Sequence, residues 1–168
     1  MQFLGSHQNR LDAKGRVSVP ASFRTTLRQA PDGNGNGATH GAGGQLILRP
    51  SHFYACIEAW PPARFAALEA PLAQYSLLSP EHQDLATSLY ADAFPVDVDK
   101  EGRILIPEQL VAHAGLTEAV LFMGVGPTFQ IWEPAAAERR RAEARIRSRE
   151  LAPHGGVAHA GPHAGVSA

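Results

Sequence analysis

The chain has 168 residues, 44% of them hydrophobic, and a formal net charge of −1. This length and composition support a buried core, in one compact domain or in two small halves that share one, and they argue against disorder throughout. No run of about 18 apolar residues occurs and residues 1–5 lack the basic segment of a signal peptide, so we expect a cytoplasmic protein with no membrane contact. The single cysteine, Cys56, forms no internal disulfide, and its apolar neighbours predict a buried, unreactive thiol.

Residues 11–20 and 98–107 are two copies of one unit. They align without a gap at an offset of 87 residues, with identical Asp, Gly, Arg and Pro and with matching aliphatic residues. A second match lays residues 46–50 over residues 130–134, at an offset of 84 residues. Two matches in the same order favour a duplication. Each half is then predicted to contain a strand, a turn, a strand ending at proline, a short helix, a further strand ending at proline, and a closing helix.

The segments between and after the two copies differ in composition. Residues 31–44 are rich in glycine, which predicts a mobile surface loop, and residues 153–168 lack large apolar side chains, which predicts a disordered tail. Residues 51–92 are predicted to be helical, with one helix beginning at the capping Ser79 and at Pro80. The predicted organisation is a first motif at 1–53 with the insertion at 31–44, connecting helices at 54–94, a second motif at 95–137, an arginine-rich helix at 138–152 and the tail at 153–168.

Each copy contains a turn of the form Asp-x-x-Gly-Arg, at residues 12–16 and 99–103. Asp12 is predicted to accept hydrogen bonds from the backbone N–H groups two and three residues on, and Gly15 to adopt a positive φ. Alternation in the following strand buries Val17 and Val19 and presents Arg16 on the opposite face. The second copy repeats these residue types, so the predicted turn-forming residues are Asp12, Gly15, Asp99 and Gly102.

Positive charge is concentrated in two segments of the sequence. Residues 10–28 contain five basic residues against one acid, and residues 135–151 contain six arginines against three glutamates. Because phosphate binding depends on local positive charge, the net charge of −1 does not exclude a nucleic-acid partner. The basic residues of the first segment are Arg10, Lys14, Arg16, Arg24 and Arg28.

A purely structural role for the turn arginines is the simplest alternative. Arg16 and Arg103 would then only pair with Asp12 and Asp99 to fix the turns, which leaves the other basic residues of the first segment unexplained. Both roles can coexist. The second copy is expected to bind phosphate more weakly, because an acidic residue, Glu101, stands where the first copy has a lysine.

Three sequence features together resemble the MraZ family of bacterial proteins. They are Phe-Leu-Gly-Ser-His at residues 3–7, the paired Asp-x-x-Gly-Arg turns, and His-Ala-Gly-Leu at residues 113–116. The resemblance extends from about residue 1 to residue 150. It implies an α+β fold with two SpoVT-AbrB-like motifs, in which two pseudo-symmetric swapped-hairpin β-barrel halves carry peripheral helices.

The same resemblance implies a sequence-specific transcriptional regulator. Members of the family form ring-shaped homo-oligomers, bind short direct repeats upstream of the division and cell-wall gene cluster, and regulate that operon, including their own gene, from the nucleoid. Carried over to this sequence, the residues expected to contact double-stranded DNA are Lys14, Arg16 and Arg103, with Arg10 as a flanking phosphate contact. The glycine-rich insertion and the histidine-containing tail depart from the family pattern.

Two other classes of function are weighed against this one. In the first, the protein is an oligomeric scaffold with only non-specific DNA affinity, and its arginine-rich helix serves assembly or a partner. The second, an enzyme, is disfavoured, because no phosphate-binding loop and no nucleophile with a matching base are present. We therefore expect no catalytic residue, no cofactor and no small-molecule substrate. His154, His159 and His163 have a spacing that a metal accepts, but a solvated role in the Gly- and Ala-rich tail is favoured over a metal site.

Overall fold

The computed structural model describes residues 2–29 and 43–151, which form an α+β protein with antiparallel sheets, as predicted. The strands are β1 (Ser6–Arg10), β2 (Arg16–Ser18), β3 (Gln45–Pro50), β4 (Ile57–Trp60), β5 (Phe94–Asp97), β6 (Arg103–Leu105), β7 (Ala119–Gly124) and β8 (Phe129–Trp132). The helices are α1 (Ala21–Arg28), α2 (Pro62–Ala66), α3 (Glu69–Leu72), α4 (Pro80–Tyr90), α5 (Glu108–His113) and α6 (Pro134–Leu151). The chain divides into two compact units, Met1–Ala137 and Glu138–Ala168, and the first contains all of these strands.

Strands of the two halves are exchanged in the larger sheet, whose order is β1-β7-β8-β4-β3-β5. Replacing every strand by its counterpart in the other half gives the same order, read from the opposite edge. The first strand of each half pairs with the other half, β1 with β7 and β5 with β3. β2 and β6 pair with each other in a separate two-stranded sheet. Within the described residues the edge strands β1 and β5 do not pair with each other, so the predicted barrel is not closed there.

The register of two strand pairs locates an approximate twofold axis between the halves. Val17 lies opposite its own counterpart Ile104 in the β2·β6 pair. Glu58 lies opposite Gln130 in the β4·β8 pair. For every other residue of these two strand pairs, the counterpart in the other half lies on the opposite side of this central position and at the same distance from it. The axis therefore passes through both pairs, and the two Asp-x-x-Gly-Arg turns are related by it.

The sequence match of residues 46–50 with residues 130–134 is wrong. β3 and β7 are the equivalent strands, because β5 pairs with β3 in the same register in which β1 pairs with β7. The equivalents that precede the prolines are β4 and β8, in which Trp60 Nε1 donates to Glu58 Oε2 at 3.2 Å and Trp132 Nε1 donates to Gln130 Oε1 at 2.9 Å. The error arose because a proline marks the end of β3 as well as the end of β8. The proline of β3 is followed by a further strand, β4, whereas the proline after β8 opens a helix.

The segment between the two motifs is not entirely helical. Residues 57–60 form β4, in which Ile57 and Ala59 are buried and the alternate side chains are half-buried, as a strand requires. The helical spacing from residue 65 to residue 75 is divided between two short helices, α2 and α3. The prediction for α4 is confirmed, because Ser79 Oγ accepts the His82 N–H at 3.2 Å and Pro80 opens the helix.

The main core lies beneath the β2·β6 pair. Val17, Val19 and Ile104 are at most 1% exposed, so the inner face of this pair is anchored in the core and its outer face remains available. Four aromatic rings pack edge to face or tilted around one another below it. These are Phe3, Phe23, Phe122 and Phe129. Cys56 is buried in a smaller cluster, as its neighbours predicted.

The second unit begins within α6, and its described part, residues 138–151, is polar on all sides. Its arginines are mostly exposed, and Ile146 and Leu151 are exposed as well. No helix in the described ranges is long and apolar enough to cross a membrane. Most of the glycine-rich insertion and the tail histidines His154, His159 and His163 lie outside the described residues.

Candidate nucleic-acid interface

The first turn is held by the carboxylate of Asp12. Asp12 Oδ1 accepts the backbone N–H groups of Lys14 and Arg16, each at 2.9 Å, and Oδ2 accepts Arg16 Nε at 3.0 Å. The N–H of Gly15 donates to the Asp12 carbonyl at 3.1 Å, and Gly15 has the predicted positive φ, at 83°. The side-chain bonds therefore go to the residues two and four on, rather than two and three on. One carboxylate fixes both the backbone of the turn and the direction of the Arg16 side chain.

The second turn repeats this geometry almost atom for atom. Asp99 Oδ1 accepts the N–H groups of Glu101 and Arg103 at 2.9 and 2.8 Å, and Oδ2 accepts Arg103 Nε at 3.2 Å. Gly102 has a φ of 81°. One contact is added, because Arg103 Nη2 lies 3.6 Å from Glu101 Oε2. The second arginine is therefore partly neutralised by its own turn.

Both turn carboxyls favour their ionised form. Donation from the backbone N–H of Arg16 is the main reason that the pKa of Asp12 is lowered from its usual value of 3.8. Donation from the backbone N–H of Arg103 lowers the pKa of Asp99 in the same way. Both carboxylates are therefore ionised at neutral pH, the form that accepts these hydrogen bonds. The predicted Asp–Arg pairing is confirmed in both copies.

The two arginines share the outer face of the β2·β6 pair. Arg16 lies opposite Leu105, and Ser18 lies opposite Arg103, so these four side chains project from the same face. Arg16 and Arg103 are diagonal neighbours on the two paired strands, and the Cα atoms of such neighbours are typically about 7–8 Å apart. Their side chains are 38% and 37% exposed. The fold thus brings together two arginines that are 87 residues apart in sequence.

Hydrogen bonds between the halves join the two turns into one rigid element. The N–H of Val19 donates to the Gly102 carbonyl at 2.9 Å, and the N–H of Ile106 donates to the Gly15 carbonyl at 2.8 Å. Asn9 Nδ2 also donates to the Ser18 carbonyl at 2.6 Å. This last bond lies within the first half, where it ties β1 to β2, and no local sequence pattern indicates Asn9.

The remaining predicted contacts lie around the first turn. Lys14 is exposed within it, and Arg10 is exposed at the end of β1, two residues before Asp12. Arg24 belongs by sequence to the same copy, but the guanidinium of Arg24 lies against Gly102 of the second turn. No group of three or more potential metal ligands occurs among the described residues.

Comparisons with known proteins point to a single family. A family model described as "MraZ protein, putative antitoxin-like" matches residues 89–152. A relative from Gluconacetobacter diazotrophicus, named "Transcriptional regulator MraZ", is 65% identical over 89% of this chain and 90% of its own length. Relatives of the same name from Gluconobacter oxydans and Xanthobacter autotrophicus are 57% and 37% identical over 89% of this chain, covering 87% and 88% of their own lengths.

Relatives that are 65% and 57% identical over 89% of the chain place it among transcriptional regulators rather than enzymes. Within that class, the chain belongs to the MraZ family.

Proposed function

We propose that this regulator binds double-stranded DNA in a sequence-specific manner through the outer face of the β2·β6 pair. The observation that carries the proposal is that Arg16 and Arg103 lie on the same exposed face of a two-stranded ribbon. The major groove of B-DNA, about 12 Å wide, admits such a ribbon, and arginine pairs with the O6 and N7 edge of guanine. The twofold axis through Val17 and Ile104 presents the two arginines in opposite directions along the ribbon.

The Asp–Arg pairs support this proposal instead of competing with it. Of the Arg16 guanidinium, Asp12 engages only Nε, and no hydrogen bond or ion pair within the described residues engages Nη1 or Nη2 of Arg16. A guanidinium that is already oriented loses less side-chain entropy when it binds a base or a phosphate. Lys14 and Arg10 are assigned to flanking phosphates, where position matters less than charge.

The further elements of the proposal come from the family. We propose that several copies assemble into a ring, so that successive subunits reach successive direct repeats and gain affinity through effective concentration. The repeats lie upstream of the division and cell-wall gene cluster, including the gene of this protein, and the site of action is the nucleoid within the cytoplasm. The exchange of β1 and β5 between the halves supports assigning two swapped-hairpin SpoVT-AbrB-like motifs, at residues 1–53 and 95–137. The connecting segment 54–94, the helix 138–152 and the tail 153–168 then lie outside the motifs.

Fluorescence anisotropy across a salt series tests the proposal. The protein is titrated into a duplex from upstream of its own gene and into a scrambled duplex of the same composition. We expect tighter binding to the native duplex and an affinity that falls linearly with salt on logarithmic axes, by about 0.9 in slope for each phosphate contacted. Equal and weak binding to both duplexes would refute sequence-specific regulation.

A protein–protein scaffold is the second candidate. It is favoured by α6, whose part from residue 138 to residue 151 exposes most of its arginines together with Ile146 and Leu151. Glu138, Glu143 and Glu150 provide only partial local compensation. The same salt series discriminates the two candidates, because DNA binding must weaken as salt rises. Partner binding that persists at high salt, without preference for the native duplex, would favour the scaffold.

A further inference from the structure

Arg24 lies on the second turn, although it belongs to the first half. The N–H of Val19 donates to the Gly102 carbonyl at 2.9 Å, and α1 begins two residues later. The N-terminal end of α1 therefore lies next to Gly102. A Cβ at Gly102 would overlap Arg24 Nη1 and would lie 2.7 Å from Cζ and 2.8 Å from Cδ. The absence of a side chain at Gly102 is therefore what allows the guanidinium to rest there.

The guanidinium of Arg24 has no counter-ion in the described part of the chain. Its Nε is buried without a hydrogen-bond partner, and none of the ion pairs within residues 2–29 and 43–151 includes it. A partly desolvated cation without a partner is costly, and an anion bound at the same place removes that cost. Hydrogen-bonding capacity is thus left unused next to a turn that already presents Arg103.

Among the residues that the structure describes, the first turn has no equivalent cation. The counterpart of Arg24 is Val111, at the offset of 87 residues, and a Cβ at Gly15 would meet only the Ile106 carbonyl at 3.2 Å and Leu105 Cδ1 at 3.7 Å. A cavity of about 880 Å³ opens beside the first turn, with Gly15 and Val111 in its lining. The position that Arg24 fills at the second turn is therefore vacant at the first.

The position of Arg24 balances the charges of the two turns. The first turn sets Lys14 and Arg16 against Asp12, which is a net charge of +1. The second turn sets Lys100 and Arg103 against Asp99 and Glu101, which is a net charge of zero. One further cation at the second turn restores the charge of the first.

We propose that Arg24 is a DNA phosphate contact of the second turn, supplied by the helix of the first half, which compensates for Glu101. This inference rests on the proposed function, because it names a further residue of the same DNA-binding surface. It predicts that Arg24 acts together with Arg103 and independently of Arg16, despite its place in the sequence next to the first copy.

The test compares salt slopes of binding to the native duplex. Arg24→Met keeps the length of the side chain and removes its charge, Arg24→Lys keeps the charge, and Arg64→Met removes one charge from exposed α2 as the matched control. We expect Arg24→Met to reduce the slope by about 0.9 for each subunit bound, while Arg24→Lys and Arg64→Met keep the wild-type slope. A wild-type slope in Arg24→Met would overturn the proposal, since a packing role alone doesn't change counter-ion release.

Double variants assign the contact to one turn. Residues that share a phosphate cluster are not additive, so Arg24→Met is expected to weaken binding less in an Arg103→Ala background than in an Arg16→Ala background. Equal effects in both backgrounds would contradict the assignment to the second turn. If Arg16→Ala and Arg103→Ala themselves leave the slope unchanged, the proposed DNA surface is wrong. If they lower it and Arg24→Met does not, only the role of Arg24 is wrong.

A pair of glycine variants provides the same test without altering Arg24, and decides the question if Arg24→Met fails to fold. Gly102→Ala and Gly15→Ala carry a similar backbone strain, because both glycines have a φ near 80°, at 81° and 83°, although a Cβ at position 15 would also meet the Ile106 carbonyl at 3.2 Å. Only Gly102→Ala displaces Arg24. We expect a reduced salt slope in Gly102→Ala relative to Gly15→Ala, and equal slopes would overturn the proposal.

Discussion

The two turns of this protein have the same backbone and different electrostatics. The Asp–Arg bond measures 3.0 Å in the first turn and 3.2 Å in the second, and both glycines have a positive φ. Beyond that frame the turns diverge, because the first exposes Lys14 whereas the second has Glu101, which lies 3.6 Å from Arg103 Nη2. Duplication has preserved the residues that determine the turn and has allowed those that determine its charge to change.

Within this motif, the residues that fold the turn are different from those that set its charge. Asp12 and Asp99 each satisfy two backbone N–H groups with an ionised carboxylate. The position two residues after each aspartate contributes only its backbone N–H to the turn, so its side chain carries no such constraint. We therefore expect the residues of the first turn itself to make the stronger DNA contact, and most of the predictions alter one turn relative to the other.

The largest effect is expected for Arg16→Ala. The change removes the oriented guanidinium of the first turn while Val17 and Val19 keep the ribbon in the core, so specific binding is expected to be lost in a folded protein. A base-contacting arginine contributes about 1–3 kcal/mol, and repetition across subunits multiplies the loss. Anisotropy on the native duplex measures it, with Arg64→Ala as the control for net charge. Wild-type affinity in Arg16→Ala would mean that the site is assigned wrongly.

Arg103→Ala is expected to weaken binding less than Arg16→Ala. Its Nη2 is already paired with Glu101, so less free hydrogen-bonding capacity is lost. The same titration ranks the three proteins in the order wild type, Arg103→Ala, Arg16→Ala. A reversed order of the two variants would show that the second turn dominates.

Glu101→Lys is expected to strengthen binding by making the second turn resemble the first. The substitution releases Arg103 Nη2 and adds a cation at the position of Lys14. We expect the salt slope to steepen by about 0.9 for each added phosphate contact. Glu81→Lys, an equal charge change at an exposed position in the first turn of α4, is the control. An equal gain from both variants would indicate general attraction rather than a property of the turn.

Acid is expected to destabilise both turns together. Because the pKa values of Asp12 and Asp99 lie below 3.8 in the folded protein, the unfolded chain takes up these protons first as the pH falls. Their contribution to stability is therefore complete above the unfolded value and is lost as the pH falls through the folded pKa values. Thermal unfolding between pH 6 and pH 3 should show a smaller decline of Tm in Asp12→Asn and Asp99→Asn. An unchanged decline in both variants would contradict the shared role.

The sequence predicted the local chemistry of the turns better than their surroundings. The Asp-x-x-Gly-Arg pattern and the strand that follows it predicted the positive φ of Gly15 and Gly102, the buried alternation of Val17 and Val19, and the Asp–Arg pairs, because each of these depends on residues close together in sequence. The α+β class was predicted as well.

Long-range pairing could not be predicted in the same way. The position of Arg24 on Gly102 depends on the pairing of strands between the halves, which leaves no trace in local spacing. The bond from Asn9 to Ser18 lies within the first half, but it depends on how β1 and β2 pack together rather than on a local motif. The strand β4 was missed because its four residues lie in a segment of otherwise helical spacing. The mistaken match of β3 with β8 has a similar cause, because a proline ends both and only the sheet register distinguishes them.

The most direct test of the DNA surface is a photocrosslink from the middle of the ribbon. Ser18 is exposed on the same face as Arg16 and Arg103, so p-benzoylphenylalanine in its place reports what that face contacts. We predict crosslinks to the native duplex from position 18 and none from position 64 on α2. A protein that still binds the duplex but crosslinks only from position 64 would contradict the account.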